Sequence, residues 1–246
     1  MIYPRSDQLP AEPKCLSLVI LISGGGTTMA NLADRISAGV LDAKIELVVS
    51  SRGNVVGLER ARQRGLPVLV LPRRSFLREE VFDHDAYTEE LLRRLQPLTV
   101  DLIVLAGFMS RLGVALFARY PVVNIHPALL PRFGGRGMYG HHVHEAVLAA
   151  RERESGCTVH FVDPEYDHGP ILSQRTIPVM PDDTPDTLAD RVQAIERELY
   201  PEAISWIARG RVRMEDGRLV VQPEAQPPTF GSRSSGNPRS PVQPGA

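Results

Sequence analysis

Apolar and polar positions alternate between two patterns along the chain. Five short runs, "SLVILI", "IELVVS", "PVLVL", "DLIVLA" and "PVVNI", are apolar without a period of two. Strands of that kind are buried on both faces, which predicts a parallel sheet with helices over each side. Between the runs the apolar positions take a helical period, predicting helices near 29–37, 55–64, 85–95 and 112–119. Beyond residue 140 the order changes. A helix is expected at 142–151, then two strands, "CTVHFV" and "PILSQRTIPV", joined by the loop "DPEYDHG". Thr184 followed by Pro185 reads as an N-cap and first helical position. Leu188, Val192, Ile195 and Leu199 give that last helix its apolar stripe. "RVRMEDGRLVV" reads as a terminal hairpin turning at Asp216–Gly217.

The ends of the chain break both patterns. Residues 1–14, "MIYPRSDQLPAEPK", are proline-rich and predict a loose N-terminal arm. Residues 222–246 are dominated by Pro, Gly, Ser and Gln. They lack the apolar surface to offset ordering entropy, so a disordered tail is expected. The folded part is then one domain, 15–221. The formal net charge of −1 gives no bulk attraction for nucleic acid or an anionic membrane, and no run nears the roughly 20 apolar residues of a membrane span. Cys15 and Cys157 fit neither a disulfide framework nor a metal spacing, which suits a reducing cytoplasm.

Candidate chemistry collects at strand ends. "LISGGGTTM" runs from a strand through Gly24, Gly25 and Gly26 into Thr27 and Thr28 at a helix start. Free N–H groups and a positive dipole end make that an anion site, or else it is only a tight strand-to-helix turn. Gly107, Phe108 and Met109 follow "DLIVLA", where ligands of open parallel sheets collect. In "VVNIHPALLPRF", Asn124 and His126 stand two apart on one strand, so both point to one side. An amide donor beside an ionisable imidazole can stabilise an oxyanion and pass a proton. Asp163 and Glu165 read as a solvated acidic turn. Asp167, ahead of His168-Gly169-Pro170, sits in a rigid turn able to point it inward. His141, His142 and His144 in "GHHVHEAV" lack the HExxH pattern and are expected at a pocket rim, with no metal bound.

Taken in order, "LISGGGTTM", "VLAGFMSRL", "NIHPALLPRFGGRGMYGHHVHEAV", "GCTVHFVDPEYDHGPILSQ" and "RVQAIERELYPEAISWIARGRV" resemble the phosphoribosylglycinamide formyltransferases, a family of folate-dependent formyltransferases in purine synthesis. The likeness is collinear over about 16–214. It implies a Rossmann-like, three-layer α/β/α domain whose N-terminal half binds the phosphoribosyl substrate and whose C-terminal half binds folate. The implied reaction moves a formyl group from the co-substrate 10-formyltetrahydrofolate to the amine of glycinamide ribonucleotide, without metal or covalent intermediate. The implied catalytic residues are Asn124, His126 and Asp167, with the Asp167 charge favouring a protonated imidazole. Gly26, Thr27, Thr28 and Glu196 match positions that hold the ribonucleotide. Met109, Ser110, Arg111, Leu112 and Asn124 match the folate side.

Three departures stand out. The loop reads Gly-Gly-Gly-Thr-Thr where a better-known bacterial form has Gly-Asn-Gly-Ser-Asn. His84 stands where some relatives have Arg. "GGRGMYGHH" replaces a shorter turn. The rival on the same domain is a formyltetrahydrofolate hydrolase or another formyltransferase. The expected hydrolase adds an N-terminal regulatory domain, and the transfer-RNA enzyme a folded C-terminal domain with a basic surface. Partners are expected to be small molecules only, with the chain a monomer or homodimer in the cytoplasm.

Overall fold

The structure is a computed structural model, and it describes residues 3–222. Its strands are β1 (Leu16–Ile22), β2 (Ala43–Ser50), β3 (Val68–Val70), β4 (Leu77–Arg78), β5 (Val81–Phe82), β6 (Leu102–Leu105), β7 (Val122–His126), β8 (Glu154–Phe161), β9 (Ile171–Pro178), β10 (Val212–Glu215) and β11 (Arg218–Val221). The helices are α1 (Thr27–Ser37), α2 (Val56–Gln63), α3 (His84–Leu95), α4 (Val114–Arg119), α5 (His141–Ala149) and α6 (Pro185–Ala208). Seven strands form one sheet in the order β3-β2-β1-β6-β7-β8-β9. Pairing is parallel from β3 to β7 and antiparallel from β7 to β9.

The unbroken apolar runs explain the layering. Every residue of β1 is buried. Leu16, Leu18, Ile20 and Ile22 face a core built with Met29 and Leu32 of α1 and Leu188, Val192 and Ile204 of α6. Val19 and Leu21 face the opposite core, with Tyr87 and Leu91 of α3 and Leu116 of α4. That is the expected three-layer α/β/α domain. The stripe on α6 is buried at Leu188, Val192 and Leu199, while Ile195 packs at the core edge. Thr184 caps α6, its hydroxyl accepting from Thr187 N at 3.2 Å, with Pro185 in first position.

Two sequence expectations change. The fourth helix opens at Val114 and not at residue 112, because Leu112 is drawn into the core and Gly113 becomes the N-cap. Residues 3–14 were expected as a loose arm and instead pack on the body. Tyr3 and Leu9 are buried, Tyr3 lies 6.1 Å from the Phe117 ring, and Gln8 Nε2 donates to Phe117 O at 3.1 Å. Two apolar side chains outweigh the proline-rich composition there. The tail expected to be disordered lies, from 223 on, outside the described residues.

β1 has β2 on one side and β6 on the other, and the chain winds outward from β1 in both directions. The carboxyl ends of β1 and β6 therefore flank a topological switch point, where open α/β sheets place their ligands.

Candidate active site

A cleft of about 800 Å³ opens at that switch point. The loops after β1, β2, β6 and β7 form its floor, and α6 forms one wall.

The glycine loop lies at one end. Gly26 has φ +68° and caps α1, while Thr27 and Thr28 line the cleft. Gly26 also touches another turn of chain. A Cβ there would stand 2.6 Å from Gly57 Cα, and a Cβ on Gly57 would stand 2.7 Å from Gly24 O. The glycine loop and the first turn of α2 thus cross backbone to backbone, which only glycine allows. Arg52, in the loop after β2, borders the same end.

The imidazole of His126 lies at the centre, 3 % exposed. Its Nε2 donates to the Phe133 carbonyl at 2.8 Å, and its Nδ1 faces Asp167 Oδ2 at 3.6 Å. The Phe133 carbonyl can only accept, so Nε2 carries hydrogen and Nδ1 is the nitrogen left to gain or lose a proton. Asp167 Oδ2 also accepts from Gly135 N at 2.9 Å. Asp167 has φ +54°, an uncommon conformation for a side-chain-bearing residue, and strain of this kind gathers at functional sites. Gly134 lets the two loops meet, because a Cβ there would stand 3.1 Å from Asp167 Cβ.

The prolines after His126 do not hold the loop alone. Thr158 Oγ1 donates to Ala128 O at 2.6 Å and accepts from Leu130 N and Gln174 Nε2. Gln174 Nε2 also reaches Leu130 O.

Asn124 lines the cleft beside His126, as their spacing predicts. Its Nδ2 lies 3.3 Å from His160 Nε2 on β8, directly opposite in register. Burial above all holds the His160 imidazole below its ordinary pKa. In the neutral ring Nδ1 donates to Phe161 O, so Nε2 accepts from Asn124. The amide is thereby oriented, with its second N–H free for a ligand. The only signal for His160 is the pairing of the two strands, which a single sequence does not state.

The remaining expected residues divide. Met109 and Ser110 line the cleft. The side chain of Leu112 is buried in the core with Phe117 and Leu116. Arg111 is exposed, its guanidinium 6.0 Å over the ring of Tyr166, which lines the cleft. Glu196 lines the α6 wall, and burial pushes its carboxyl up to about 7. His141 and His144 border the cleft, whereas His142 pairs with Glu145. His84 is hydrogen-bonded to Asp85 outside the cleft. Glu165 is exposed as expected, whereas the Asp163 side chain is only 15 % exposed, accepting from Glu165 N and paired with His168.

Arg52, Arg73, Arg136 and Arg197 line the cleft, against only Asp167 and Glu196 among the acids. The site is cationic inside a chain of net charge −1, so it suits anionic ligands at its two ends. The net charge does not reveal these arginines, because a sum hides local excess.

The formyl transferase family matches residues 16–204. A phosphoribosylglycinamide formyltransferase of Escherichia coli is 35 % identical over 87 % of this chain and 97 % of its own length. A chloroplastic phosphoribosylglycinamide formyltransferase of Arabidopsis thaliana is 39 % identical, over 93 % of this chain and 78 % of the relative. The crystal structure of glycinamide ribonucleotide transformylase 1 from Symbiobacterium toebii superposes with a TM-score of 0.76. It is 34 % identical, covering 85 % of this chain and 94 % of that one. Its sheet, its cleft and its sequence together make this chain a member of the formyl transferase family.

Proposed function

We infer that the chain is a phosphoribosylglycinamide formyltransferase, moving the formyl group of 10-formyltetrahydrofolate to the amine of glycinamide ribonucleotide. The observation that carries the reading is the cluster of Asn124, His126 and Asp167 on the cleft wall, with His126 Nδ1 turned to the carboxylate at 3.6 Å.

The substrate phosphate sits against Thr27, Thr28 and the N-terminus of α1, where N–H groups and dipole favour an anion. Arg52 adds charge there. Glu196 faces the ribonucleotide from α6. Met109 and Ser110 border the folate. The amine attacks the formyl carbon, a C–N bond forms, and the carbonyl oxygen becomes an oxyanion. The second N–H of Asn124 and an Nδ1–H of His126 stabilise it. Collapse breaks the bond from carbon to N10. The proton lost by the amine matches the one gained by N10, so the balance closes without oxidant or metal. His126 Nδ1 hands a proton on, directly or through one water, and Asp167 compensates the charge while the proton is held. The same reading puts the protein in a reducing cytoplasm, where Cys15 and Cys157 stay thiols.

The test is the purified chain with 10-formyltetrahydrofolate, assayed for tetrahydrofolate with and without glycinamide ribonucleotide. Release that requires the ribonucleotide is expected. Equal release without it identifies a formyltetrahydrofolate hydrolase, and none at all sinks the enzymatic reading.

A further inference from the structure

Ser23, the first residue after β1, is 2 % exposed and has no direct place in the cleft. Its hydroxyl is nonetheless the meeting point of three strand ends. Met109 N donates to Ser23 Oγ at 2.8 Å. Ser23 Oγ lies 2.7 Å from Ser51 Oγ, also buried, in the loop that follows β2. The Met109 amide can only donate, so the Ser23 oxygen accepts it and its own proton is free to go to Ser51. Backbone bonds flank the link: Ser23 N donates to Gly107 O, and Ser51 N to Ile22 O. The three loops joined here carry Thr27 and Thr28, Arg52, and Phe108 to Ser110, all lining the cleft.

We propose that Ser23 is a positioning residue that sets the two half-sites of the cleft at their working separation. Its acceptor lone pair holds the folate-side loop through Met109 N. Its proton holds the ribonucleotide-side loop through Ser51. The inference rests on the reading of the two ends given above. Glycine loops alone leave their neighbours free to slide, whereas one buried hydroxyl between three strand ends fixes their spacing.

The two links make a crossed prediction for steady-state kinetics. Ser23→Ala cuts both, so KM for 10-formyltetrahydrofolate and KM for glycinamide ribonucleotide each rise about fivefold to tenfold, the equivalent of roughly one hydrogen bond, with kcat within about twofold. Ser51→Ala leaves Met109 on Ser23, so only the ribonucleotide KM rises. Ser23→Thr keeps the hydroxyl and restores both constants. A merely structural serine would lower Tm and leave both KM values of the folded protein unchanged, and that result overturns the proposal. If Ser23→Ala fails to fold, the Ser51→Ala split decides: an equal rise in both constants, or none, overturns it. A wild-type chain without ribonucleotide-dependent release overturns the functional reading itself and this inference with it, whereas an active wild type with unmoved variants removes only this inference.

Discussion

His126 has one ring nitrogen committed to the Phe133 carbonyl and one facing Asp167, so its chemistry runs through Nδ1. Replacing it with Ala should lower kcat by about 10²–10³ with folding intact, because one oxyanion donor and the proton relay go together. Asp167→Asn is the sharper probe. Asparagine tolerates positive φ, so the turn survives and only the charge is lost. Its kcat should also fall, and near-full turnover in both variants would remove the assignment. Glu196 gives a stability prediction of opposite kind. Its carboxyl holds its proton up to about 7 when folded, against an ordinary value of 4.5. Between those values the folded state binds more protons than the unfolded one, so this group's contribution falls as pH rises. Glu196→Gln removes this pH dependence. Its unfolding free energy relative to wild type should climb from pH 4.5 to above 7, by about 2 kcal/mol in chemical unfolding, and a flat difference would contradict the raised value. Asn124 and His126 could be paired from sequence because a strand repeats every two residues. The His160 contact could not, because register between strands is set by the whole sheet.

At the scale of elements, the glycine loop and the start of α2 behave as one unit. Gly57 opens no visible motif, yet it carries the tightest backbone crossing at the phosphate end. Gly57→Ala must push the loop away from its crossing. The expected result is a ribonucleotide KM raised several-fold with a smaller change for folate, read from initial rates. Parallel changes in both constants would argue that the crossing only supports the fold. Apolar runs made the strands legible, since burial on both faces leaves no alternation to confuse them. Helix starts were less so. Leu112 is apolar at a strand-to-helix junction, and nothing local says whether such a residue turns to the core or to the cleft. Its side chain turns to the core it shares with Phe117.

Across the whole molecule, the N-terminal segment is part of the body. Tyr3 is buried in the α3–α4 core beside Phe117 and is not among the residues that line the cleft. Tyr3→Ala should cost about 2–4 kcal/mol in chemical unfolding and leave kcat unchanged, which separates fold from chemistry. The packing was hidden in the sequence because prolines dominate that stretch, and two apolar side chains were enough to dock it. The order of strands has one more consequence. Everything on the β2 side of β1 precedes residue 71, and everything on the β6 side follows residue 101. Between them lies the hairpin β4–β5, whose tip residues Glu79 and Glu80 both hold positive φ and are exposed. A break at that tip would put Gly24 to Thr28 on one piece and Asn124, His126 and Asp167 on the other, so turnover that needs the whole cleft should appear only when both pieces are present together.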